Sequence, residues 1–467
     1  MEERVRPLNE CDPRPDRSYV LYWAQANRRV DANHGLAYAI TIANRLDVPV
    51  LYYEALDCGC PQATDRVFTF ILENVPETRR RLAEIGAGYV FYLRRTRSDP
   101  NDVFYRLAAA ATAVVTDDYP ASSARLHNSS VPGKLSIPYY AVDSSCVVPM
   151  SRLTKREYGA YTIRPKIKKA LPGRLEPIGL PEIRRRFRGV PPAYHTEVRS
   201  SRIPELVAAC DINHAAGPSL SFAGGRGAAL RCLERFLEER LSRYGAGRNN
   251  PAANVTSDLS PYLRHGMISA LETALAARSY GRALGISTEE FLEELIVRRE
   301  LAFNFARHTE DPGRLENLPD WARKTLGQHD GDPRNPSYTL EQFEMARTHD
   351  PLWNAAQTEM RLRGKIHGYY RMYWGKKIIE WAPAHQEALD AMLRIHDTYA
   401  LDGGDPNTYA GILWCFGLHD RPWKKRPVFG SIRYMSFDGM KRKTDVDAYI
   451  SEVSRLDRTA LDPHRIQ

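Results

Sequence analysis

Tyr19-Val20-Leu21-Tyr22-Trp23 opens a series of short apolar, aromatic-rich runs that continues with Val48 to Tyr53, Tyr89 to Leu93, Ala113 to Thr116 and Ile137 to Val142. Each run has the length of a strand, and the intervals between runs have room for helices. Strands that alternate with helices call for right-handed crossovers and a parallel sheet covered on both faces. The expectation is a doubly wound α/β domain over residues 1–150. Ligands of such sheets bind beyond the carboxyl ends of the strands, which places Trp23, Glu54 and Asp117 near a candidate small-molecule site. No G-x-G-x-x-G follows the first run, so ordinary dinucleotide binding is not supported.

From about Met150 to Phe222 the periodicity fades into Pro- and Arg-rich sequence, including Leu180-Pro181-Glu182-Ile183-Arg184-Arg185-Arg186-Phe187-Arg188. Residues 151–224 are therefore expected to be an interdomain linker, with Arg184 to Arg188 a solvated face. Beyond Gly224-Gly225 the pattern turns helical. Leu230, Leu233, Leu237, Leu241 and Tyr244 form one stripe at helical spacing. Ser287-Thr288-Glu289-Glu290 fits a capping box, and Asp350-Pro351 an N-cap followed by proline at the first helical position. Residues 225–467 are expected to form an all-helical domain.

The whole chain of 467 residues suits two domains, and 43% hydrophobic with 26% charged residues describes a globular protein. No apolar run approaches the length needed to span a bilayer, and Met1-Glu2-Glu3-Arg4 is unlike a secretory signal, so no membrane association and a cytoplasmic location are expected. The seven scattered cysteines argue against a disulfide framework, and Cys58-Gly59-Cys60 lacks the further ligands of a metal site; no metal is expected. The net charge of +9 suits a polyanionic partner without identifying one.

The most specific segment joins Tyr244-x-x-x-Arg248-Asn249 to Thr256-Ser257-Asp258-Leu259-Ser260-Pro261-Tyr262-Leu263-x-x-Gly266. Clustered hydroxyls and free N–H groups at a helix start suit phosphates, although any single serine there is more often a plain N-cap. The full string resembles the flavin pyrophosphate segment of the photolyase and cryptochrome superfamily. His349-Asp350-Pro351-Leu352-Trp353-Asn354-Ala355-Ala356-Gln357, Gly364-Lys365-Ile366-His367-Gly368, Arg371-Met372-Tyr373-Trp374-Gly375-Lys376-Lys377, Leu401-Asp402-Gly403-Gly404-Asp405-Pro406-Asn407 and Arg426-Pro427-Val428-Phe429-Gly430-Ser431-Ile432-Arg433-Tyr434-Met435 resemble the class II cyclobutane pyrimidine dimer photolyases within it. The N-terminal part matches that family more loosely.

The resemblance implies light-driven repair of dimer-containing DNA by electron transfer from reduced FAD to a flipped-out dimer. It implies FAD contacts from Tyr244, Arg248, Thr256, Ser257, Asp258, Leu259, Ser260, Arg371, His396 and Asp402, with Arg371 and Asp402 paired beside the isoalloxazine ring. It also implies an electron chain through Trp374, Trp353 and Trp381. Spacing puts Trp374 and Trp381 on one helical face, roughly 10 Å apart along the axis, but the stripe Tyr370, Trp374, Ile378, Trp381 is ordinary core on pattern alone. Met372 and Trp414 match the pocket walls and Glu294 the carboxyl that bonds the dimer, while Glu294 with Arg298 is otherwise an i,i+4 pair. Trp423-Lys424-Lys425-Arg426 and Lys441-Arg442-Lys443 are candidate phosphate contacts.

His396 stands where class II enzymes usually carry asparagine beside flavin N5. An imidazole there can gain a proton near neutral pH, with Asp397 favouring the charged form. A slip in register would instead put His396 at the surface and leave Asn407 near the flavin. An antenna chromophore is also implied, an 8-hydroxy-deazaflavin in preference to methenyltetrahydrofolate, and a monomer is expected. The rival reading is a cryptochrome-like blue-light receptor using the same flavin and tryptophans. The short stretch after Tyr449 favours repair, since such receptors often carry a long C-terminal extension.

Overall fold

The computed structural model describes residues 1–14 and 16–461. The N-terminal part is built on a six-stranded sheet in the order β1-β6-β5-β2-β3-β4. The strands are β1 (Val5–Pro7), β2 (Tyr19–Trp23), β3 (Val50–Asp57), β4 (Gly88–Arg94), β5 (Ala111–Asp117) and β6 (Tyr139–Val142). Five of them correspond to the apolar runs and pair in parallel. β1 pairs antiparallel with β6 at the edge. Three residues ending in proline carry no alternation to read, and proline is tolerated at an edge because it has no N–H to offer the ladder.

Alternation along the central strands feeds two separate cores, because successive side chains point to opposite faces of a sheet. Val20, Tyr22, Val50, Tyr52, Ala113 and Val115 face one side, where the helix His34–Leu46 packs. Tyr19, Leu21, Trp23, Leu51, Tyr53 and Val114 face the other, against Phe104 and Leu107 of Val103–Ala108. Both faces are covered, so the runs read as continuously apolar.

The carboxyl ends of the strands are filled by the chain itself, contrary to the small-molecule expectation. Asp117 accepts the backbone N–H groups of Gln25, Ala26 and Asn27 and the Tyr22 hydroxyl. Glu54, fully buried, pairs with Arg28 at 3.4 Å and accepts from the Tyr89 hydroxyl. Trp23 is stacked on Phe104 and His127. Both carboxylates are thus engaged within the chain, and the Trp23 ring is packed.

Residues 151–224 contain the helices Ala160–Ala170 and Ile203–Ala208 within otherwise irregular chain. Arg184, Arg185, Arg186 and Arg188 are exposed, and Arg185 and Arg186 donate to the Asp47 and Ala83 carbonyls. From Arg226 onward the structure is helical to Leu461. The leucine stripe is interrupted at Arg240, which separates Arg226–Glu239 from Leu241–Gly247. Leu230 is 41% exposed, and Phe236 takes the buried place instead.

Two contacts lock the helical part to the sheet part. Arg66, on the helix Asp65–Leu72, donates to the carbonyls of Gly217, Met360 and Tyr399 at 2.6–2.9 Å and to that of Arg361. It thereby helps to satisfy the ends of two helices, Pro351–Arg363 and His385–Tyr399, alongside the Gly364 N–H, which also donates to the Met360 carbonyl. Gly266 has φ +65, and a Cβ there would lie 2.2 Å from the Ala26 carbonyl oxygen. Only glycine lets the loop approach the first strand-to-helix connection this closely. No helix among the described residues is long and apolar enough to cross a membrane.

Candidate active site

The Thr256–Ser260 loop is held by a partly buried carboxylate. Asp258, in the left-handed region at φ 58, accepts from Arg240 at 2.7 Å and Lys365 at 2.8 Å, and the Thr256 hydroxyl donates to it at 3.3 Å. Burial opposes its ionisation, but Lys365 and Arg240 hold the carboxyl down at about 2. The Ser257 carbonyl accepts from the Cys232 thiol, and Leu259 is fully buried. A cavity of about 410 Å³ opens beside this loop, lined by Thr256, Asp258, Arg231, Arg235, Lys365 and His367. The helix that follows, Ser260–Arg264, has only five residues. Its dipole is too short for the phosphate argument made from the sequence, and the surrounding cations supply the positive field.

Ser260 connects this loop to a second cluster. The Asp402 carboxyl is 8% exposed on its side chain and takes Arg371 at 3.1 Å. Burial works against its charge, yet Arg371, His396 and the Ser260 hydroxyl together hold it well below the usual carboxylate range. His396 is fully buried with Nε2 3.7 Å from Asp402, so the register that puts it at the surface is excluded. Burial and the Arg371 charge push the imidazole down to about 3, against the expectation of a ring that titrates near neutrality. Asp397 does not help: it accepts from Gln62 instead. Asn407 is bonded to Asp405.

Arg371 Nε, both nitrogens of His396 and Nε2 of His367 are buried without a hydrogen-bond partner among the described residues. Buried polar atoms are nearly always paired, so three orphans at one ion pair, and a fourth on His367 beside the Asp258–Lys365 cavity, mark where polar groups from outside the chain fit.

The helix Gly368–Trp381 carries the aromatic chain away from this cluster. Trp374 lies one turn beyond Arg371, and its indole donates to Gln357 at 2.9 Å. The indole of Trp353, on Pro351–Arg363, donates to the Trp374 carbonyl at 3.0 Å and meets the Trp381 ring at 6.0 Å between centroids. Trp353 thus lies between the other two. Trp381, expected outermost, is only 2% exposed and reaches the surface through Tyr338 and His349.

Glu294 sits in a stretch with no sequence signature. Thr288 rather than Ser287 is the N-cap and makes no capping bond itself, although the Ser287 hydroxyl accepts from the Glu289 N–H at 3.4 Å, and after Glu289–Leu292 the helix widens to π geometry over Glu293–Arg298. The extra residue per turn breaks the expected pairing with Arg298. Glu294 pairs with Arg248 instead, and Arg298 with Glu293 at 3.5 Å. Arg248 follows Tyr244, whose ring packs on Phe236 and Phe291. Single π turns recur at functional sites because they re-aim side chains. Met372 and Trp414 are partly buried, and Lys376 and Arg433 lie over the Trp414 ring at 5.2 and 5.5 Å. Trp423, 40% exposed, takes Arg421 and Arg433 on its ring, beside exposed Lys424, Lys425 and Arg426. Lys441, Arg442 and Lys443 are exposed as well.

Arg240, Lys365 and Gln357 belong to the site although sequence reasoning gave them no role. Lys365 and Gln357 lay inside motifs that had been read for their neighbours. Arg240 had no signal at all.

The DNA photolyase family profile matches residues 20–182. A deoxyribodipyrimidine photo-lyase of Methanothermobacter thermautotrophicus is 40% identical over 97% of this chain and 98% of its own length. One of Arabidopsis thaliana is 36% identical over 94% of this chain and 89% of its own. Among solved structures, a class III photolyase from Agrobacterium tumefaciens superposes with a TM-score of 0.68 at 18% identity, over 94% of this chain and 87% of that one, which speaks for the fold. With near-complete coverage on both sides, the chain belongs to the deoxyribodipyrimidine photo-lyase family of enzymes, within the photolyase and cryptochrome superfamily.

Proposed function

We propose that this enzyme splits cyclobutane pyrimidine dimers in DNA under blue light, as a class II photolyase with FAD held between the Thr256–Ser260 loop and the Arg371–Asp402–His396 cluster. The observation that carries the reading is the set of orphaned nitrogens on Arg371 and His396 at one ion pair with Asp402, with Trp374 on the next helical turn and the orphaned His367 beside the Thr256–Asp258 cavity. A flavin ring has acceptors and an N–H along its edges to satisfy them.

Bound FAD supplies one-electron chemistry under light, while the protein supplies position and field. Arg371, fixed by Asp402, favours an anionic ring beside it. His396, neutral, can accept from or donate to a ring nitrogen. Tyr244, Arg248, Thr256, Ser257, Asp258, Leu259 and Ser260 shape the pyrophosphate side. Trp381, Trp353 and Trp374 pass an electron inward. A dimer has to leave the duplex to be reached. Met372 and Trp414 then offer apolar walls, and Glu294, aimed by the π turn, a carboxyl to hydrogen-bond the dimer. Lys424, Lys425 and Arg426 meet phosphates.

An antenna chromophore, 8-hydroxy-deazaflavin ahead of methenyltetrahydrofolate, enters through the family likeness alone, since Trp23, Glu54 and Asp117 are occupied internally. The absorption spectrum of material extracted from the purified protein identifies it. A cytoplasmic monomer completes the proposal.

Two variants test the division of labour. Trp374→Phe is expected to abolish photoreduction of oxidised flavin while chemically reduced enzyme still repairs. Glu294→Gln is expected to do the reverse, lowering repair with photoreduction intact. Equal effects of each variant on both reactions would contradict it.

A further inference from the structure

We infer that Gln357 is a positioning residue for Trp374: it holds the indole N–H on an acceptor too weak to take its proton, so that an electron vacancy formed there can move on. This rests on the electron-chain reading above and goes one step beyond it. Loss of one electron turns an indole into a cation whose N–H is far more acidic than before. Once that proton leaves, the neutral radical is too weak an oxidant to draw an electron from the next indole, and the vacancy stops. What the N–H meets therefore decides whether Trp374 relays or traps.

Gln357 is fully buried and Trp374 is 1% exposed, so the protein rather than solvent supplies the acceptor. The indole N–H donates to Oε1 of Gln357 at 2.9 Å. The amide is fixed in that sense, because its NH2 group donates to the Glu344 carbonyl at 3.2 Å and an indole is a donor only. An amide oxygen bonds more strongly to a donor that becomes positive, yet it is no base near neutral pH. The second indole is treated alike, since the Trp353 indole N–H donates to the Trp374 backbone carbonyl at 3.0 Å. Three carboxylates on or beside the helix Pro351–Arg363 are engaged elsewhere. Glu344 pairs with Arg394 at 3.3 Å, Glu359 accepts from Tyr449 and Arg363, and Asp350 accepts from Tyr373 and the Trp353 backbone N–H.

In the step inferred, Trp374 gives one electron to light-excited oxidised flavin and keeps its proton. Trp353 then gives one electron to Trp374, which returns to the neutral indole with its N–H still on Gln357. No proton has moved. A base in the place of Oε1 changes the outcome: the N–H bond breaks, the proton goes to that base, and an uncharged radical is stranded at Trp374.

Transient absorption and electron paramagnetic resonance of the flavin-loaded chain after a blue flash distinguish the indole cation radical from the neutral one. In the unmodified protein the first indole species expected is the cation, which moves on without a solvent deuterium isotope effect. Gln357→Glu keeps the shape of the side chain and supplies a base. Recorded at a pH where infrared absorption shows the new carboxyl ionised, it is expected to give a neutral radical that stays on Trp374 and an isotope effect on its formation. Gln357→Leu removes the acceptor without supplying a base, and is expected to lower the yield of the cation severalfold with no neutral radical at Trp374. A merely structural role would lower the yield in both variants and leave the protonation state of the radical unchanged. A cation that moves on in Gln357→Glu as in the unmodified protein, or a neutral radical at Trp374 in the unmodified protein, overturns the inference while leaving the tryptophan chain standing. An indole radical that still forms in Trp374→Phe overturns the chain, and the inference with it.

Discussion

His396 shows how one side chain can carry a signature of the site into bulk stability. Its imidazole is fully buried, faces Arg371 and Asp402, and is pushed down to about 3 by burial and the Arg371 charge. An unfolded chain binds this proton near the ordinary value of about 6.5. The unfolded state therefore holds more protons between those two values, and stability falls as pH drops through that window. For the flavin-free protein the histidine contributes a loss of about 2 kcal/mol between about pH 7 and pH 5. His396→Asn is expected to remove that share of the acid sensitivity, read as a shallower pH dependence of the denaturation midpoint. Parallel curves for the two proteins would mean that the ring titrates freely in the native state. Asp402 acts in the same direction at lower pH, since its depressed carboxyl stabilises above the ordinary carboxylate range and loses that contribution on further acidification.

Helix ends decide how the two parts of the chain hold the site. Arg66 is 2% exposed and bridges the C-terminal carbonyls of the helices that bear Trp353 and His396. Arg66→Ala takes the donor from the Tyr399 and Arg361 carbonyls, while Met360 keeps the Gly364 N–H, and is expected to destabilise the protein by about 3 kcal/mol, measured by denaturant unfolding. Arg66→Lys is expected to recover little, because a single ammonium cannot replace the planar fork. A loss under about 1 kcal/mol would mean that water takes over the carbonyls. Neither this clasp nor the π stretch was legible in the sequence. The strands of the sheet were, because apolar side chains on both faces leave an unbroken run, and so was the Asp350-Pro351 cap, whose carboxyl accepts from the Trp353 N–H at 3.0 Å. A capping box at Ser287 reads equally well on paper, yet the backbone places Thr288 at the cap, and Ser287 bonds the Glu289 N–H and the Glu290 carboxyl from one place further out. Local patterns report local bonds, whereas Arg66 bonds residues about three hundred positions away.

Across the molecule the net charge is +9, and one exposed face combines aromatic and basic residues around Trp423 to Arg426 and Lys441 to Lys443. If this face meets DNA, affinity for dimer-containing duplex falls with salt at a slope of about −0.9 per phosphate neutralised. Alanine at Lys424, Lys425 and Arg426 together is expected to flatten that slope and leave flavin content unchanged; an unaltered slope would put the DNA elsewhere. Of the candidate site, the shared helical face of Trp374 and Trp381 was legible from spacing, while their role and that of Arg371 came from the family resemblance alone. Residues fixed by distant partners, such as Asp258 between Arg240 and Lys365, were recognisable as members but not in their bonding. The most direct measurement is dimer content in damaged DNA incubated with the reduced, flavin-loaded enzyme in blue light and in darkness. Loss of dimers with restoration of intact pyrimidines in light only is the expected result; equal dimer content in light and dark, with flavin bound and reduced, would contradict the account.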